Sequence, residues 1–281
     1  MHRYVFLSTI LAAGMALGVG ISGASAQDSN AELAQQLANP VAALISVPFK
    51  TDYNQGYGPK DNGYQVVTTV QPVIPISLGE NWNVISRTIV PYVWDQYNVN
   101  PVAPSGHQSG FADSTQSFFF SPKQPLSLGE TGNLVWGVGP IFGFPTGNAD
   151  PLLGTGKYTA GPTAVALLIN GGWTTGALVS HSWDIGGDDR RGPVNSTFIQ
   201  PFLVYTTPTA WTYTLNSEST YNWETDQWSV PINFMVSKVT SIGSQKVSLQ
   251  AGVRYWAESP KGGPDGWGFR GQLTFLFPTG G

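Results

Sequence analysis

Apolar and polar residues alternate with a period of two along most of this chain, most plainly in its last two segments. In KVSLQAGVRYWAE (246–258), Val247, Leu249, Ala251, Val253, Tyr255 and Ala257 fall on one face. Lys246, Ser248, Gln250, Gly252, Arg254 and Glu258 fall on the other, with Trp256 an aromatic exception among them. In GWGFRGQLTFLF (266–277), Trp267, Phe269, Leu273, Phe275 and Phe277 alternate with Gly268, Arg270, Gln272 and Thr274. Successive side chains of a strand point to opposite faces. Each segment therefore predicts a strand with one apolar, aromatic-edged face and one face that carries charge.

The same pattern predicts strands over 43–53 (broken by Pro48), 64–76, 83–94, 111–120, 134–144, 158–169, 174–185, 197–206, 211–223 and 228–239. With the final pair the total is about 12, an even number as in bacterial outer-membrane barrels. The connections alternate in length. Those at 77–81, 170–173, 208–210 and 241–245 are short and 123–132 is intermediate, whereas 54–63, 96–110, 145–157 and 186–193 are longer. Short turns at one end and longer loops at the other are the pattern of a transmembrane barrel. The fold class predicted is all-β, a transmembrane antiparallel up-and-down β-barrel with a short N-terminal helix.

Segment 211–223 shows how such a strand would cross. Trp211 and Tyr213 stand at its start and Tyr221 and Trp223 at its end, all on one face. Aromatic rings favour the water–lipid boundary, so the two pairs predict two girdles, with Trp267 and Phe277 as further members. The opposite face reads Thr212, Thr214, Asn216, Glu218, Thr220 and Asn222, a hydrated interior surface.

The N-terminal region divides in two. Residues 1–26 read as a secretory leader: His2 and Arg3 are a weak basic start, 4–21 an apolar core, and Ala24-Ser25-Ala26 a small-x-small cleavage pattern. Residues 27–40 hold the one helical candidate, 29–38, in which Ser29 and Glu32 have capping-box spacing and Pro40 ends the run. The barrel would then occupy 41–281. Without a later run of ~20 apolar residues, a membrane-spanning chain of this kind must close on itself, because hydrocarbon satisfies no free strand edge.

Composition narrows the chemistry. There is no cysteine, hence no disulfide or thiolate site. The 17 Asp and Glu outnumber the 13 Lys and Arg, which argues against nucleic acid as a partner. No His or carboxylate spacing points to a metal, and nothing points to a cofactor. Gly154-Thr155-Gly156-Lys157 fails as a phosphate loop, since Pro151 stands where the upstream glycine belongs and Tyr158 follows the lysine. Asp188, Asp189, Arg190 and Arg191 read as a solvated loop. His181 lies between Ser180 and Ser182, which point to the opposite face, so neither can be its local nucleophile. His181 shares the face of Ala177, Val179 and Trp183 and reads as an interfacial residue. The informative charges are Arg87, Asp95, Glu218, Lys246, Arg254, Glu258 and Arg270. They share parity with small or polar neighbours, and Arg or Lys on a lipid face at mid-depth costs ~2–4 kcal/mol, so all seven are expected to line the lumen.

Several segments carry a resemblance: NPVAALISVPF (39–49), GTGKYTAGPTAVAL (154–167), GALVSHSWDIGG (176–187), QPFLVY (200–205), WSVPINFMVSKV (228–239) and QLTFLFP (272–278). They resemble, in order and across nearly the whole mature chain, the bacterial outer-membrane barrel family named for the meta-pathway of phenol degradation. The resemblance implies an outer-membrane barrel that moves small, often aromatic, compounds, and it brings no catalytic residues. The tail Thr279-Gly280-Gly281 departs from it by placing the terminal aromatic, Phe277, short of the end. The reading is a non-enzymatic, passive channel for small molecules. Its partners would be outer-membrane lipid and lipopolysaccharide, a small solute, and the barrel assembly machinery acting on the last strand. The alternatives are an outer-membrane lipid hydrolase that uses His181 and a closed structural or surface-binding barrel.

Overall fold

The computed structural model describes residues 21–99, 106–147 and 153–278. The expected leader, 1–26, lies for its larger part outside the described residues, as does the tail 279–281. The chain forms a closed antiparallel barrel of 12 strands. They are β1 (Leu44–Tyr57), β2 (Gly63–Val70 and Val73–Leu78), β3 (Trp82–Tyr97), β4 (His107–Phe111 and Ser114–Pro122), β5 (Asn133–Phe144) and β6 (Lys157–Asn170). Then come β7 (Trp173–Gly187), β8 (Asn195–Thr206), β9 (Trp211–Ser217 and Ser219–Asn222), β10 (Gln227–Ile242), β11 (Gln245–Glu258) and β12 (Gly266–Pro278). Each strand pairs with its sequence neighbour, and β12 pairs with β1 from Leu44↔Pro278 to Tyr53↔Phe269, which leaves no edge. Closure meets the demand that hydrocarbon makes on backbone N–H and C=O groups.

Strand chemistry explains the interruptions. Pro48 does not break β1: it sits in the ladder opposite Thr274, and its carbonyl accepts from the Gln71 N–H at 3.0 Å. Pro72, which has no N–H to give, parts the two pieces of β2. In β9 the ladder opens at Glu218, beside Pro231 of β10, whose carbonyl instead accepts from Ser217 Oγ at 2.8 Å. His107, expected in a loop, opens β4 and pairs with Tyr97.

The outer face is apolar, with Leu215, Phe234, Val179 and Leu249 exposed on it. Aromatic side chains gather in two bands. At the short-turn end Trp82 packs on Trp136 and Trp173 on Tyr205, with Trp211, Tyr213 and Phe277 exposed at the same end. At the long-loop end Tyr221 meets Trp223 and Trp228, and Tyr255 meets Trp267.

The helix α1 (Ile21–Leu37) begins before the expected cap at Ser29, which lies within it, and ends ahead of Pro40. It lies in the short-turn mouth of the barrel. Leu33 and Ala34 are buried with Leu44, Ala210, Val239 and Leu276. Ala210 holds a left-handed backbone conformation (φ 62°) in the β8–β9 turn while its side chain packs beneath the helix. Gln35 Nε2 donates to the Gly171 carbonyl at 2.6 Å, and Lys246 Nζ donates to Asn30 Oδ1 at 2.7 Å. Behind the helix, Val41 packs into an apolar wall of the lumen that includes Ile85, Phe119, Leu167 and Phe202.

Candidate functional site in the barrel lumen

Inward positions of β1, β9, β11 and β12 meet at mid-barrel in an ionic network. Arg270, 4% exposed, is its centre. Its Nε and Nη2 donate to Asp52 Oδ1 and Oδ2 at 2.6 and 3.1 Å, and its Nη1 and Nη2 donate to Glu218 Oε1 and Oε2 at 3.0 and 2.7 Å. Arg254 Nη2 donates to Glu218 Oε2 at 2.6 Å, and its Nη1 lies 3.7 Å from Asp52 Oδ2. Lys50 Nζ reaches Glu218 Oε1 at 3.4 Å. Amides complete the shell. Arg254 Nε donates to Asn233 Oδ1 at 2.8 Å, and Asn233 Nδ2 donates to Asn216 Oδ1 at 2.9 Å. Trp256, the exception on its face, points inward, donates to Asn54 Oδ1 at 3.3 Å and holds the Arg254 guanidinium 5.2 Å from its ring centre. Buried charges of this kind persist only when paired and hydrogen-bonded.

Arg87, inward on β3, stands apart. Its Nε and Nη2 donate to the Gln71 side-chain oxygen at 2.9 and 3.0 Å, with the amide oriented to satisfy both groups. Among the described residues it makes no ion pair within 4 Å. Between the network and α1 lies a cavity of about 230 Å³. Lys50, Arg87, Glu218, Arg270, Thr214 and Gln250 line it on the polar side, Phe202 and Val204 on the apolar side, and Leu37 and Ala38 close it.

Of the seven charges expected in the lumen, the structure brings Glu218, Arg254 and Arg270 together and sets Arg87 on the same cavity. Three lie elsewhere. Asp95 does not share the inward face of Arg87: a bulge between Val93 and Gln96 inserts a residue, turning Gln96 inward and Asp95 out to the rim. There Asp95 accepts from Tyr64 Oη at 2.6 Å and meets His107 Nδ1 at 2.9 Å. Lys246 sits at the mouth against α1 rather than at mid-depth. Glu258, the last residue of β11, is exposed at the long-loop rim. Lys50 and Asp52 were missing from the expected set. Their signal is the alternation Ser46, Pro48, Lys50, Asp52, Asn54 against Val47, Phe49, Thr51, Tyr53, which continues through Pro48.

His181 stands on the outer face of β7, 4.1 Å ring to ring from Trp183. Its Nδ1 meets Thr197 Oγ1 at 2.7 Å, a hydroxyl that also accepts from Trp223 Nε1 at 2.9 Å. Its Nε2 is buried without a partner, so among the described residues no hydroxyl stands where this nitrogen could take its proton as a general base. No cluster of metal-ligating side chains occurs among the described residues.

The architecture is that of the outer-membrane β-barrels. It is similar to an outer-membrane channel from Pseudomonas putida F1, with 13% identity, a TM-score of 0.64, and coverage of 84% of this chain and 96% of that one. Looser likenesses link it to the NanC porin (10% identity, TM-score 0.49, 84% of this chain and 100% of that one) and to the outer-membrane phospholipase of Salmonella typhi (14%, 0.48, 90% and 98%). At these identities the first likeness is one of fold. No family model matches the sequence, and no curated protein matches it either.

Proposed function

We propose that this chain is a passive channel of the bacterial outer membrane for small molecules, with its short-turn end in the periplasm and α1 as a plug in that mouth. The observation that carries the reading is the interior. A barrel of about eight strands can fill its lumen with side chains, whereas in this barrel of 12 a cavity with one polar and one apolar wall lies between α1 and a network of charges. Desolvating such charges is costly, and a lumen hydrated for transport reduces that cost. In keeping with the family resemblance, the solutes are small and often aromatic. Lipid and lipopolysaccharide would contact the aromatic bands, and the assembly machinery would read β12. The geometry at His181 does not favour lipid hydrolysis.

Planar-bilayer recording tests the reading. The full chain is expected to give small, interrupted currents. A chain lacking residues 29–38 is expected to conduct several-fold more, because the helix no longer fills the mouth. Absence of current from both, with the barrel shown folded by its heat-modifiable gel migration, would refute a channel.

A further inference from the structure

The charges that meet around the cavity do not balance. Four are cationic (Lys50, Arg87, Arg254 and Arg270) and two are anionic (Asp52 and Glu218). Both carboxylates are already engaged. Asp52 accepts with both oxygens from Arg270, and Glu218 accepts with both oxygens from Arg270 and shares them with Arg254 and Lys50. Lys50 is left with one loose contact at 3.4 Å, and Arg87 with an uncharged amide. Among the described residues no partner meets Arg87 Nη1. These two under-neutralised cations line the same cavity, and across it lie Phe202 and Val204, with Val73 beside Arg87 on the paired strand.

Each half of this arrangement has a chemical complement. Cationic side chains at a constriction favour anions by lowering the electrostatic barrier to entry, and a guanidinium with a free edge accommodates a planar carboxylate. An apolar wall contributes by removing hydrocarbon from water. The cavity, about 230 Å³, leaves room for a small solute between the two walls. We propose that the lumen selects small monoanions with a compact apolar body, Arg87 and Lys50 receiving the carboxylate and Phe202 and Val204 the hydrocarbon. The proposal rests on the channel reading for its transport meaning, but the binding site stands independently of it.

Benzoate, benzamide and benzamidinium test it, since they share a shape and differ in charge. With the full chain in a planar bilayer under a KCl gradient, the reversal potential should show preference for chloride. Benzoate should interrupt the current at least about tenfold more strongly than benzamide, the order expected for a charge-assisted contact. Benzamidinium should not interrupt it. Arg87→Gln should abolish the benzoate preference, and Arg87→Lys, which keeps the charge without the planar edge, should keep part of it, which separates charge from folding damage. Preference for potassium, or equal effects of the three probes, would overturn the proposal. If no current flows, calorimetric titration of the detergent-solubilised protein decides. Benzoate binding that Arg87→Gln removes would support the anion site while the channel reading fails, and no benzoate binding would overturn the site.

Discussion

Arg270→Met is the sharpest perturbation of the ionic network. The side chain is 4% exposed and donates four charge-assisted hydrogen bonds to two carboxylates. Methionine fills a similar length without charge, so the loss is electrostatic rather than a cavity. Removing one partner of a buried pair costs about 3–5 kcal/mol, because the other partner stays buried and uncompensated. Here the cost is not uniform. Glu218 keeps Arg254 at 2.6 Å and Lys50 at 3.4 Å, whereas Asp52 keeps only Arg254 at 3.7 Å. The effect should therefore fall near the lower bound, about 3 kcal/mol, and nearly all of it should trace to Asp52. Urea unfolding in phosphocholine vesicles, followed by tryptophan fluorescence, reads this directly. With m of ~1–3 kcal/mol per molar, the midpoint drops by about 1–3 M. Adding Asp52→Asn to Arg270→Met should recover at least about half of the loss, since a neutral pair leaves no orphan charge. A loss under about 1 kcal/mol, or no recovery in the double variant, would refute the network as a coupled unit.

Two further outcomes follow from other parts of the molecule. Phe234→Arg places a cation on the lipid face midway between the aromatic bands, and should lower vesicle stability by ~2–4 kcal/mol in the same urea titration. In the loop after β7, the Arg190 side chain and backbone N–H donate to Asp188 and hold its carboxyl down at about 2, against an ordinary 3.8. A depressed carboxyl stabilises the loop above its unfolded value and loses that contribution as pH falls through the folded one. Proteolytic nicking of this loop should therefore rise only between about pH 4 and pH 2, and Asp188→Asn should flatten that rise.

The strands were legible because period-two alternation is imposed where one face meets lipid and the other a polar interior, and a segment such as 246–255 keeps it from end to end. Alternation fixes a face only while the count is unbroken. The bulge at Val93–Gln96 adds one residue, and that alone sends Asp95 to the rim and Gln96 into the lumen. Proline misled in a different way. At Pro48 it read as a break, yet the strand passes through it, and Lys50 and Asp52 beyond it were missed as a result. The start of α1 was also hidden, because Ser29 has the chemistry of a cap but stands within a helix that already continues through it. Which charges pair was not readable from any single strand. Asp52 and Arg270 are 218 positions apart and meet only when β12 closes on β1.

The central claim, a hydrated interior behind an oily exterior, is tested most directly by single cysteines along β9 in a chain that has none of its own. In protein refolded into lipid vesicles, Thr214→Cys and Asn216→Cys should react with a charged, water-soluble thiosulfonate, while Tyr213→Cys and Leu215→Cys should not. Equal labelling at all four positions, or labelling of the odd-numbered pair alone, would contradict it.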